Sequence, residues 1–137
     1  MGPGAKPLPH STILVVDDES EVATLLAEML TAEGHSADTV TDGIAALGKL
    51  AVRPYDVILS DLRMPGRDGP ALYREVERRY PHLVSRFVFL TGDALGDDTR
   101  AFLEAVRAPH LGKPFSMGEV VRAKSHYTNA SMGALRG

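Results

Sequence analysis

The chain has 137 residues, 44% of them hydrophobic and 24% charged, a length and mixture that suit one folded domain with a sizeable core. A formal net charge of -3 argues against non-specific nucleic-acid binding as the main activity, and the lack of cysteine excludes disulfides, thiolate metal sites and a cysteine nucleophile. No apolar run approaches the roughly 20 residues that span a bilayer, and the opening MGPGAKPLPHS lacks the apolar segment of a secretory signal. The default expectation is therefore cytoplasmic, with no membrane contact.

Residues 1–11 hold three Pro and two Gly and read as a flexible leader or linker. TILVV (12–16) is a continuous aliphatic and β-branched run, as expected of a strand covered on both faces. In SEVATLLAEMLTAEG, Val22, Leu25, Leu26, Met29 and Leu30 recur at helical spacing, which predicts one buried face. Ser20 suits the N-cap, and Gly34 the stop just past the C-terminus. HSADTV (35–40) is a weaker strand. DGIAALGKLAVR (42–53) reads as a helix with Ile44, Leu47 and Leu50 on one side, ended by Pro54. DVILS (56–60) is again a strand.

GPALYREVERRY (69–80) places Pro70 at a helix start, where its missing N–H costs nothing. Leu72, Tyr73 and Val76 are expected to face inward, with Pro81 closing the helix. RFVFL (86–90) is a strand, and DDTRAFLEAVR (97–107) is a helix with acidic residues at its positive end. PHLG (109–112) is a short strand. SMGEVVRAKSHY (116–127) opens on a capping box, Ser116 and Glu119. Residues 127–137 read as a tail, disordered or vector-derived. Five β-α repeats predict an α/β fold with a parallel sheet, right-handed crossovers and helices on both faces. In such a sheet, functional groups gather beyond the carboxyl ends of the strands.

Polar residues stand at those ends. Asp17 and Asp18 follow the first strand, Asp61 the third, Thr91 the fourth and Lys113 the fifth. Each has an ordinary reading alone: a helix cap, a turn, a solvated lysine. Together they are more specific. Carboxylates about 4 Å apart repel by about 4 kcal/mol at an effective dielectric near 20, so such a cluster points to a cation. Oxygen donors without His or Cys point to a hard one, Mg²⁺ or Mn²⁺. Lys113 would neutralise the cluster or clamp an anion, and the Thr91 hydroxyl could donate to a phosphoryl oxygen.

The segments ILVVDDE, DVILSDLRMPGRDG, FLTGDA and GKPF, in that order and spacing, resemble the receiver (response-regulator, CheY-like) domain of two-component signalling. The resemblance covers about residues 12–126. It implies a doubly wound, five-stranded flavodoxin/CheY-like sheet of order 2-1-3-4-5. It also implies that Asp61 accepts a phosphoryl group from a phospho-His of a histidine kinase or histidine phosphotransfer protein. Asp18, Asp61 and the backbone oxygen of Arg63 would bind Mg²⁺, with Asp17 acting largely through water. Lys113 would contact the acyl phosphate and Thr91 hydrogen-bond it. The output would be a change in protein contacts, without nucleic-acid binding by this domain.

Three features depart from the common pattern. His110 stands where the family usually has the Tyr or Phe of a rotamer switch. It reads either as a partly exposed strand histidine or as a reduced version of that switch. Arg63 and Asp93 lie at matched offsets from Asp61 and Thr91, and are expected to pair above the phosphorylation site. VRAPHLGKPF with FLTGDA looks closer to receivers fused to sensor kinases than to free regulators. Two other functions compete. One is a pseudo-receiver that keeps the fold without the chemistry, against which the intact polar set weighs. The other is an aspartyl phosphohydrolase, which would want a second acid where Arg63 stands. Nothing in the sequence pattern fixes an oligomeric state.

Overall fold

A computed structural model describes residues 10–62, 69–91 and 97–112. Five strands, β1 (Thr12–Val16), β2 (Ser36–Val40), β3 (Val57–Asp61), β4 (Phe87–Thr91) and β5 (His110–Gly112), form one parallel sheet in the order β2-β1-β3-β4-β5. Among the described residues, α1 (Ser20–Ala32), α2 (Gly43–Val52), α3 (Gly69–Arg79) and α4 (Asp97–Val106) connect them. This is the doubly wound α/β architecture and strand order expected from the sequence. The helix expected over 116–127 lies outside the described residues.

The three central strands, β1, β3 and β4, are mostly apolar because both faces are covered, whereas β2 and β5 at the edges are more exposed. Leu14, Val16, Ile58, Phe87 and Phe89 join a core that includes α2, α3 and α4 residues. The alternate positions Ile13, Val15, Val57, Leu59, Val88 and Leu90 join a second core with Ala23 and Leu30 of α1. Tyr73 packs edge-on to Phe87 and Phe102, with ring centroids 5.2 and 5.6 Å apart, so aromatic contacts tie α3, β4 and α4 together.

Several local expectations need correction. The N-cap of α1 is Glu19, without a side-chain cap bond, and Ser20 is already helical. Leu25 is not on the buried face of α1; it is 67% exposed. Ile44 likewise points out, because α2 buries Gly43, Ala46 and Leu50 instead. Pro81 does end α3, but it also opens a 3-10 turn, Pro81–Arg86, before β4. Gly34, at φ +94°, supplies the left-handed residue just after α1, and Leu72, Tyr73 and Val76 are buried as the periodicity indicated.

Candidate functional site

Strand register assembles the site. Val16 of β1 lies opposite Ser60 of β3, so Asp17 and Asp61 are the next residues along neighbouring strands. Asp61 pairs in turn with Leu90, the residue before Thr91, and Thr91 pairs with Gly112, the residue before Lys113. Among the described residues, three strands thus bring Asp17, Asp61 and Thr91 to one rim of the sheet, its carboxyl end.

Burial separates these residues by environment. Asp17 is fully buried and Asp61 is 8% exposed, while Asp18 and Glu19 are exposed. A buried carboxylate is costly unless paired or hydrogen-bonded. The Asp17 Oδ1 accepts the Glu19 backbone N–H at 3.0 Å, and the Asp17 N–H donates to the Val40 carbonyl at 3.1 Å. These bonds fix the turn that leads into α1. Asp17, Asp18 and Glu19 each offer a carboxylate oxygen, all within 4.8 Å of one another. That is a hard-oxygen cluster without nitrogen or sulfur, and it fits Mg²⁺ or Mn²⁺. Glu19 is the member to which the sequence reading gave no role, although the run Asp17-Asp18-Glu19 signalled it.

Around Asp61 the backbone is held closely. The Leu62 N–H donates to the Leu90 carbonyl at 3.1 Å, and the Gly69 N–H to the Leu62 carbonyl at 3.2 Å. A Cβ on Gly69 would lie 2.5 Å from the Asp61 carbonyl oxygen and 3.0 Å from the Leu62 Cα. Only glycine lets α3 begin this close to the strand end. Thr91 is 7% exposed, and its Oγ1 donates to the Leu111 carbonyl of β5 at 3.3 Å. His110 is exposed on β5, opposite Phe89. Arg63, Asp93 and Lys113 lie outside the described residues.

Residues 13–124 match the response regulator receiver domain family, and the chain belongs to that family. It is 36% identical over 117 residues to the DNA-binding transcriptional regulator NtrC of Klebsiella pneumoniae, covering 82% of this chain and 24% of that protein. It is also 34% identical over 116 residues to the sensor histidine kinase RcsC of Salmonella typhi, covering 84% of this chain and 12% of that protein. The chain thus spans a quarter or less of these relatives. The structure of the response regulator TrrA from Thermotoga maritima, in complex with Mg²⁺ and BeF, superimposes with a TM-score of 0.69 at 28% identity, over 85% of this chain and 97% of that one. A putative response regulator from Chloroflexus aurantiacus gives 0.73 at 28% identity, over 87% and 98%. The chain is a receiver domain of two-component signalling, a signalling domain rather than an enzyme of metabolism. No helix among the described residues is long and apolar enough to cross a membrane.

Proposed function

We propose that Asp61 is the phosphoryl acceptor. The observation that carries this reading is the register that sets buried Asp61 beside buried Asp17, next to the Asp17-Asp18-Glu19 oxygen cluster. A carboxylate oxygen of Asp61 attacks the phosphorus of a phospho-His on a histidine kinase or phosphotransfer protein. The P–N bond breaks, its electron pair returns to the imidazole nitrogen, and the new bond is an aspartyl phosphate. Asp17, Asp18 and Asp61, with the backbone oxygen of Arg63, would hold Mg²⁺. When bound, the ion supplies charge neutralisation for acids and phosphoryl oxygens, which is most of what phosphoryl transfer asks of a protein.

Lys113, one residue past the partner of Thr91, would clamp the phosphoryl oxygens. Thr91 would exchange its bond to the Leu111 carbonyl for one to the phosphoryl group, passing the change to β5. Exposed His110 can serve only a reduced version of an aromatic switch. Arg63 and Asp93 would pair over the site and restrict water. We take residues 12–126 as the receiver, between the flanks 1–11 and 127–137. It would work in the cytoplasm, where ATP charges the kinase, and fusion to a sensor kinase is the favoured parent arrangement.

Incubation with Mg²⁺ and a small acyl phosphate, followed by intact-mass measurement, tests the reading. The expected result is a gain of about 80 Da, one phosphoryl unit, in the native chain and none in Asp61→Ala. An adduct that survives Asp61→Ala, or a native chain that never acquires one, overturns it. Followed over time, the adduct should decay faster in Arg63→Ala and Asp93→Ala; unchanged decay in both removes the water-restricting pair.

A further inference from the structure

Helix α2 breaks the usual pattern of a surface helix. It buries Gly43, Ala46 and Leu50. At 100° per residue the direction opposite that face is Gly48, with Ile44 and Val52 one turn to either side and Ala45 and Ala51 at the margins. All five are exposed, Ile44 by 70% and Val52 by 81%. Lys49 is the helix's one charged residue. A helix that is apolar all round is normally a covered helix. The exposed Leu25 of α1 is a different case, isolated beside Glu21 and Glu28.

Gly48 sharpens the point. A Cβ there would meet nothing within 4 Å, so no neighbour among the described residues requires glycine. Glycine within a helix nonetheless costs about 1 kcal/mol relative to alanine. What would require it is a partner whose backbone comes close to this turn.

The order of the stripe says which partner. Ala45 and Ala51 lie three residues to either side of Gly48, and the β-branched Ile44 and Val52 lie four to either side. Two such helices crossed antiparallel on a two-fold axis at Gly48 set Ile44 against Val52, Ala45 against Ala51, and glycine against glycine at the closest approach. The ends are complementary in charge. Asp42 caps the N-terminus by accepting the Ala45 N–H at 2.7 Å, and Lys49 stands in the last turn, with Arg53 beyond it already paired with Asp38. Antiparallel packing brings the acidic end of one copy to the basic end of the other and opposes the two macrodipoles. We propose that α2 is a homodimer contact, in which a second copy of this chain packs its own α2 antiparallel across Gly48. The contact is isologous and therefore closed at two. One ten-residue helix pair is a small interface, so the dimer is weak, with a Kd on the order of 100 µM.

The lack of cysteine makes the test direct. In a mixture of Ala45→Cys and Ala51→Cys chains the two thiols face each other across the axis and Gly48 is left intact, whereas Leu25→Cys places a thiol on an exposed apolar position away from it. Under mild oxidation the mixture should form a disulfide dimer about tenfold faster than Leu25→Cys; equal rates overturn the proposal. Sedimentation of the native chain from about 10 µM to 1 mM should show a rise towards twice the monomer mass, absent in Ile44→Glu and Val52→Glu. Circular dichroism of both variants would show that they remain folded. A native chain that stays monomeric throughout, variants that associate as before, or a mass that climbs past the dimer each overturns it. The first result would leave the face to another protein, and the last would mean a head-to-tail contact.

Discussion

The two ends of the sheet use their polar side chains differently. At the amino end, acid and histidine side chains bond the strand backbone, although the buried His35 Nε2 finds no partner among the described residues. The Thr12 N–H donates to Asp56 Oδ2 at 2.8 Å while the Asp56 N–H donates to the Thr12 carbonyl at 2.7 Å. The Ser11 N–H donates to His35 Nδ1 at 3.1 Å, and the Ser36 N–H to the Ser11 carbonyl at 2.9 Å. At the carboxyl end, Asp17, Asp18 and Glu19 bring carboxylate oxygens within 4.8 Å of one another, and Asp61 ends the neighbouring strand. One end joins strands; the other also collects acids, which on the proposed reading serve a cation and a phosphoryl group. On that reading, collected carboxylates mark function at one end, and side-chain bonds to the backbone mark structure at the other.

Substitutions should separate the two ends by sign. The largest effect is steric. In Gly69→Ala the new methyl must displace the Asp61 carbonyl, so stability should fall by about 2–3 kcal/mol by urea denaturation, and Asp61 phosphorylation should slow with it. A loss under about 0.5 kcal/mol would show that the start of α3 yields freely. Next come the acids. Asp56→Ala removes the acceptor of the solvent-accessible Thr12 N–H, which water replaces in part, and should cost about 0.5–1 kcal/mol. In Mg²⁺-free buffer Asp61→Asn relieves repulsion and should stabilise by up to about 1 kcal/mol. If both substitutions destabilise alike, the contrast between the ends fails.

Much of this contrast was readable in the sequence because strands covered on both faces write themselves as unbroken aliphatic runs. The residue that ends such a run is then fixed, which is how Asp17, Asp61 and Thr91 could be placed at one rim. Helix faces were less legible. In α1 the stripe from Val22 to Leu30 is wide enough that its margin, Leu25, falls in solvent. In α2 nearly every residue is apolar, so periodicity cannot choose a face; the sheet takes the small Gly43 and Ala46 and leaves Ile44 outside. Ser20 looked like a cap because sequence shows residue type and not the fold-back of Asp17 onto the Glu19 N–H. The role of Gly69 was hidden for a related reason: its need for glycine comes from the Asp61 carbonyl, eight residues away along the chain but in contact in space.

The smallest expected effect concerns Tyr55, a residue the sequence did not single out. Its ring is buried just ahead of β3, its hydroxyl donates to Asp38 Oδ2 at 2.5 Å, and the Arg53 guanidinium holds the same carboxylate at 2.8 Å. Burial first, then the hydrogen bond to Asp38 and its negative charge, push the phenol up to about 12, with Arg53 pulling weakly the other way. The unfolded chain releases this proton near pH 10, before the folded chain does. Between those values the folded state binds more protons, so stability falls as pH rises. The contribution is complete below pH 10 and is lost on approaching 12. Thermal melts across that window should decline less steeply in Tyr55→Phe than in the native chain, while the two run parallel below pH 9, about one unit under the unfolded value. Identical slopes would mean that the Tyr55–Asp38 bond does not hold the proton, and that matched hydrogen bonding along the β2 side of the sheet is weaker than its geometry implies.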